Sequence, residues 1–121
     1  MGSIGVYIAL YDYSKMLEEM GIKLELFAAG DYKGLGLPGN PLSDVQRAFL
    51  QENVARSYAQ FTGFVRAQRG SVAVSTCQGQ WFDGEQAVAL NLADRCVSGL
   101  PEILAEIRSA LNEAMASASL D

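Results

Sequence analysis

The chain of 121 residues contains no histidine and only two cysteines, Cys77 and Cys96. Without histidine, neither a Ser-His-Asp triad nor a Cys-His pair can form within it, so nucleophilic catalysis would need a lysine base or residues from another chain. The cysteines form no CxxC pair, and zinc sites draw on His and Cys ligands, so we expect no metal and no cofactor. Both thiols are expected to be buried and unpaired.

Positive charge is also scarce, because 9 Lys and Arg face 14 Asp and Glu, for a net charge of −5. The basic residues are scattered rather than aligned on one face, so nucleic acid is not expected as a partner. No apolar run approaches the roughly 20 residues of a membrane-spanning helix, and the N-terminus lacks the pattern of a secretory signal. The hydrophobic content of 50% is typical of one globular domain, here residues 1–121.

The first thirty residues predict an α/β fold. The run "IGVYIAL" at 4–10 is typical of a strand buried on both faces, and "IKLELFA" at 22–28 alternates as a second strand. Between them Asp12 can cap a short helix that Gly21 ends. A strand, a helix and a strand with short connections form a right-handed crossover, which predicts parallel strands.

Helical signals dominate the rest of the chain. The segment "SDVQ" at 43–46 is a capping box that opens a long amphipathic helix to about Arg69. Its predicted buried face carries Leu50, Val54, Tyr58, Phe61 and Val65.

Four further segments complete the prediction. "QWF" at 80–82 predicts a short strand, Asp83 a cap for a short helix, and "LADRCV" at 92–97 a strand or extended segment. A last amphipathic helix begins near Pro101 and fades into a frayed tail at 116–121.

Lys33 lies in "AGDYKGLGLPGNPL", directly after the second predicted strand. By itself it would be interpreted as an exposed cation, because lysine is almost never fully buried. Its place is nevertheless notable, since ligands in open α/β sheets bind at the carboxyl ends of the strands.

Four segments, in order, are similar to the motifs of one known family. "GSIGV" at 2–6 is similar to its Gly-Ser-Ile/Leu-Gly-Val strand, and "AGDYKG" at 29–34 to its Gly-x-Tyr-Lys segment. "YAQFTGFVRAQRG" resembles its Tyr-x-x-Phe-x-x-x-Val-x-x-x-Arg helix, and "GQWFDGEQAVALNLAD" at 79–94 its glycine, alanine and aspartate signature. Over residues 2 to about 108 the chain thus resembles the signal peptide peptidase A family, which includes phage-type head proteases.

The resemblance implies a Clp protease/crotonase-like fold, of which this chain is the C-terminal portion, and a serine-lysine peptidase activity. Lys33 is then the general base. A lysine accepts a proton only when neutral, and its reference pKa of about 10.4 keeps it charged at neutral pH. Phe27, Leu35 and Leu37 could supply the apolar wall that favours the neutral amine. Ser3 either hydrogen-bonds this amine or caps a backbone group.

The family's nucleophilic serine, in a Ser-Gly-Gly-like turn, would lie about twenty residues before "GSIGV", as would the oxyanion-hole glycines. No serine of this chain lies in such a turn, so we expect the chain alone to be inactive, as the C-terminal fragment of a catalytic domain. The first hypothesis is therefore part of an endopeptidase that cuts hydrophobic peptides, such as signal-peptide remnants. The second hypothesis is a non-catalytic oligomerisation or interaction module. A third and weaker hypothesis is a crotonase that acts on acyl thioesters.

The resemblance also bears on partners and location. We expect peptide substrates for the parent protein and a homo-oligomer, because family members assemble as rings or domes. The parent would be associated with the inner membrane, or cytoplasmic if it is of the phage type.

Overall fold

The computed structural model describes residues 1–118, which fall into two compact units. The larger unit comprises Ser3–Gln80, and the smaller comprises Met1–Gly2 with the chain from Trp81 onward. Each unit is described by itself. Among the described helices, none combines the length and the apolar character that crossing a membrane requires.

The larger unit contains helix α1 (Ser14–Glu19), helix α2 (Asp44–Gln68) and a 3-10 turn at Val74–Thr76. The stop of α1 forms as the sequence predicts, but its N-cap is Tyr13, which makes no side-chain cap hydrogen bond, and not the predicted Asp12. Asp12 Oδ1 accepts a hydrogen bond from the Ser14 amide at 2.9 Å. Gly21 ends the helix with a φ of +71°, and its amide donates to the Glu18 carbonyl at 3.0 Å. A left-handed residue at this place is the usual helix stop.

Helix α2 begins at the predicted capping box. Ser43 Oγ accepts from the Gln46 amide, and Gln46 Oε1 accepts from the Ser43 amide, each at 3.2 Å. The helix ends within one residue of the predicted Arg69. Its predicted core face is only half-buried, and Phe61 on it is exposed.

The two predicted parallel strands are not formed in residues 1–118. Residues 4–10 and 22–28 have no strand partner there, and several of their apolar side chains are exposed, Phe27 at 92%. A strand exists only through hydrogen bonds to a neighbouring strand, so an apolar pattern without that neighbour remains extended chain. Only the first residues of the segment are paired, with Ser3 N donating to Gln80 O at 2.7 Å and Gly79 N to Ile4 O at 2.9 Å.

The smaller unit contains helix α3 (Gly84–Ala89) and helix α4 (Leu100–Ala118). Asp83 caps α3 as predicted, because its Oδ1 accepts from the Gln86 amide at 2.8 Å. The strand predicted at 80–82 is reduced to an isolated antiparallel bridge between Gly2 and Trp81. Residues 92–94 form bends, and residues 95–97 belong to no strand.

The predicted frayed tail is helical as far as the structure describes it. Residues 116–118 continue α4, and residues 119–121 lie outside the described residues. The apolar stripe of α4 is exposed, at Ile103, Leu104, Ile107, Leu111 and Met115.

The buried apolar side chains are few in both units. They are Ile4, Val72 and Cys77 in the larger unit, and Ala87 and Leu92 in the smaller. Both cysteines are free, as predicted; Cys77 is buried, but the prediction was wrong for Cys96, which is exposed. Amphipathic faces predict burial only where another element packs against them.

Candidate functional site

Lys33 lies in a tight turn that spans residues 31–36 of the larger unit. Its amide donates to the Gly30 carbonyl at 3.1 Å, and its side chain is exposed. Within residues 1–118 its Nζ has neither a hydrogen bond nor an ion pair. The amine is therefore not engaged by another side chain of the described protein.

Glycines let the loop after Lys33 pack directly on a leucine of residues 22–28 and on a leucine of helix α1. Gly34 has a φ of +79°, and a Cβ placed on it would lie 2.4 Å from Leu26 Cδ2. Gly39 has a φ of +82°, and its Cβ would lie 2.7 Å from Leu17 Cδ1. The glycine-rich composition thus has two causes, a left-handed backbone and a close approach.

Two side-chain amides hold the backbone on either side of Lys33. Gln46 Nε2, from the first turn of α2, donates to the Asp31 carbonyl at 2.7 Å. Asn40 Nδ2 donates to the Gly34 carbonyl at 2.8 Å. The turn is therefore held on both sides by side chains, because these carbonyls accept bonds from residues 15 and 6 positions away.

An aromatic pair adds a third contact between the turn and α2. The rings of Tyr32 and Phe49 lie with their centroids 4.5 Å apart and are tilted by 37°. This is within the range of favourable ring geometry, so the residue before Lys33 is also packed on the helix.

The apolar wall expected around the lysine is open in this chain. Phe27 and Leu37 are exposed, Leu37 at 43%, and Leu35 is half-buried. The apolar surroundings that would favour a neutral Lys33 amine therefore stay a prediction.

Ser3 has a φ of +55°, which is uncommon for a residue with a side chain. It is exposed, and in the described part of the chain its hydroxyl makes no hydrogen bond to Lys33. Its suggested support of the lysine stays a prediction.

The larger unit also contains an open cleft of about 500 Å³ between α1 and the glycine-rich loop. Leu17, Ile22, Leu24 and Pro41 line it with apolar surface, and Glu18 and Lys23 add charge. Among residues 1–118, no group of three or more His, Cys, Asp or Glu side chains could hold a metal ion.

Sequence reasoning did not identify Asn40 or Gln46 as residues that hold the Lys33 turn. The motif "SDVQ" identified Gln46 as a helix-capping residue, but its second bond, to Asp31, joins segments fifteen positions apart. No local pattern encodes that bond; the only signal was a polar side chain close to a loop with few other anchors.

Comparison with known proteins identifies relatives that match most of the chain. The model of Peptidase family S49 matches residues 1–114, and members of that family have a Clp protease-like fold. A Methanocaldococcus jannaschii protein provisionally named a protease is 29% identical over 97 residues, which are 78% of this chain and 31% of the relative.

Two further relatives carry more specific names. An Enterococcus faecium protein provisionally named signal peptide peptidase SppA is 31% identical over 78% of this chain and 28% of its own length. Capsid assembly protease C of Escherichia phage lambda is 32% identical over 84% of this chain and 24% of its own length. The chain thus spans about a quarter to a third of the curated relatives it matches.

Proposed function

We propose that this chain, which belongs to peptidase family S49, supplies the general base of a serine-lysine protease through Lys33. The nucleophilic serine and the oxyanion hole come from a segment or chain outside these 121 residues. The observation that carries the proposal is the family match over the turn that holds Lys33. That turn presents an exposed amine on a backbone fixed by side chains of α2 and the loop.

The chemistry follows from a neutral amine. Lys33 Nζ takes the proton of the serine hydroxyl while the serine oxygen attacks the scissile carbonyl. The C–N bond then breaks, and the proton passes from Nζ to the leaving amine, which leaves an acyl-enzyme. Water attacks the acyl group with Nζ again as base, and the proton returns to the serine oxygen.

Three serines of the described residues do not fit the nucleophile's role, because each lies in a helix or caps one. Ser43 Oγ is engaged by the Gln46 amide, Ser14 begins α1, and Ser57 lies within α2. A nucleophile needs an exposed oxygen beside the base and facing oxyanion donors. An external serine is therefore part of the proposal.

The extended segments fit the same picture. In the assembled protease we propose that residues 4–10 and 22–28 become parallel strands by pairing with further polypeptide, which buries their apolar side chains. Exposed backbone groups of such segments favour pairing. Formation of this sheet would also complete the apolar wall around Lys33.

The substrate class is proposed from the relatives' names and from the apolar surroundings of the turn. One relative is named a signal peptide peptidase, so hydrophobic peptides such as signal-peptide remnants are proposed as substrates. The open cleft beside α1 offers apolar side chains that suit such peptides.

Lysine variants test the proposal in the protease assembled with its serine-bearing segment. Lys33→Arg keeps a long cation but cannot lose its proton in a protein, so peptide cleavage should fall at least 100-fold, within the range general-base catalysis supplies. Lys15→Arg is the matched control, because Lys15 is an exposed lysine of α1 that does not line the cleft proposed to hold the peptide. Near-normal cleavage by Lys33→Arg would reject Lys33 as the base.

A non-catalytic interaction module is the second candidate. The exposed stripe of α4 favours it, because large exposed apolar surfaces usually mark interfaces. If the assembled protein formed a stable oligomer but cleaved no peptide and reacted with no serine-directed probe, this candidate would replace the first.

A further inference from the structure

Gln46 is the one described residue that links the start of α2 to the Lys33 turn through a side-chain hydrogen bond. It is only 7% exposed, although glutamine is usually a surface residue. A buried amide is stable only when its donor and acceptor groups are both used.

Both ends of the Gln46 amide are in use, and they are not interchangeable. Oε1 accepts from the Ser43 amide, whereas Nε2 donates to the Asp31 carbonyl. Because a backbone N–H needs an acceptor and a carbonyl needs a donor, only one orientation of the amide satisfies both. The side chain therefore fixes Asp31 at a set distance from the start of α2.

We propose that Gln46 is a positioning residue for Lys33, with Asn40 as a second tether, and this rests on the proposed function. Asp31 is two residues before Lys33, and the Gly34 carbonyl held by Asn40 directly follows it. The loop between 30 and 40 contains four glycines, which by themselves would leave the backbone many conformations. The two side-chain amides restrict that conformational freedom on both sides of Lys33.

The consequence for catalysis concerns geometry. A base must reach its proton within hydrogen-bond distance, and a displacement of about 1 Å can lower a rate about 100-fold. Loss of a tether should therefore lower turnover without weakening the binding of substrate, since neither amide is proposed to touch the peptide.

Gln46→Glu separates the tether from the helix cap. Glutamate at this position preserves the capping box, in which Glu and Gln are equivalent. Its second oxygen, however, meets the Asp31 carbonyl with no hydrogen to share. Gln86→Glu is the matched control, because Gln86 occupies the same place in the capping box of Asp83, and its Nε2 has no partner in residues 1–118.

Two measurements decide the proposal. In the 121-residue chain, trypsin should cut the Lys33–Gly34 bond several-fold faster in Gln46→Glu than in the unaltered chain or in Gln86→Glu, with cleavage after Lys23 as the internal reference. In the assembled protease, Gln46→Glu should lower kcat about 10- to 100-fold at unchanged KM, while Gln86→Glu retains the parent values. Asn40→Asp should reproduce both effects and serves if Gln46→Glu does not fold.

Parent values of kcat and of tryptic cleavage in Gln46→Glu and Asn40→Asp would overturn the proposal. Equal losses in Gln46→Glu and Gln86→Glu would also overturn it, because the cause would then be the helix caps. Full activity of Lys33→Arg would reject the proposed function and with it the catalytic role of Gln46. The tryptic rates would still show whether Gln46 holds the turn.

Discussion

Replacing Gly34 by alanine tests whether the loop that carries Lys33 packs as described. Gly34 has a φ of +79°, a left-handed conformation that costs a residue with a Cβ about 1–2 kcal/mol. The new Cβ would also lie 2.4 Å from Leu26 Cδ2, too close for any contact. Leu26 is partly exposed and can rotate away, so overpacking should add a value near the low end of its usual range, about 1 kcal/mol.

The chain offers two glycines that separate these costs. Gly21 has a φ of +71° with no atom near the new Cβ, so Gly21→Ala should show the backbone cost of about 1–2 kcal/mol alone. Gly63 lies inside α2 with open space around it, so Gly63→Ala should stabilise the protein by about 0.5–1 kcal/mol. The expected order of stability is Gly63→Ala, the unaltered chain, Gly21→Ala and then Gly34→Ala, at a loss of about 2–3 kcal/mol.

Urea unfolding, followed by the helical signal in far-UV circular dichroism, measures these differences in the free energy of unfolding, because most of the helix in the larger unit is α2. The double variant Gly34→Ala with Leu26→Ala supplies the sharper test. If Leu26 is the obstacle, the two changes together should cost less than the sum of each alone. A Gly34→Ala protein as stable as the unaltered chain, or fully additive changes, would refute the packing of the Lys33 loop on residues 22–28.

Three further outcomes are expected. The 121-residue chain alone should not react with a fluorophosphonate probe, because we propose that it supplies only the base and not the nucleophile; serine labelling faster than in the denatured chain would contradict this. Light scattering should show a homo-oligomer that buries the exposed apolar side chains, and a stable 13.0 kDa monomer at high concentration would exclude it. Hydrogen bonds from the Ser98 amide and hydroxyl lower the pKa of Glu102, with Arg95 adding to the effect. The contribution of Glu102 to the free energy of unfolding is thus present above the ordinary carboxyl pKa and is lost as the pH falls through the lower pKa of the folded state. In Ser98→Ala, an NMR titration of the Glu102 carboxyl should show a higher pKa than in the unaltered chain. An unchanged pKa would exclude the Ser98 hydroxyl as a cause.

Helix caps and stops could be predicted from the amino-acid sequence, because their hydrogen-bond donors and acceptors lie within a few residues of each other. The capping box of Ser43 with Gln46 forms where its motif predicts, and Asp83 caps α3 as predicted. Gly21 ends α1 for the same reason, since a helix stop needs only a left-handed residue at the right place. The proposed role of Lys33 came instead from the family resemblance, because an isolated lysine in a loop carries no local signal.

The pairing of the extended segments and the anchoring of the Lys33 turn depend on tertiary contacts. Residues 4–10 and 22–28 have the composition of strands, but a strand requires a neighbour, and residues 1–118 supply none for most of their length. The second bond of Gln46, to Asp31, likewise depends on a loop returning to the start of α2. Local hydrogen bonds are fixed by spacing along the chain, whereas pairing, burial and the placing of Lys33 depend on which distant segments meet.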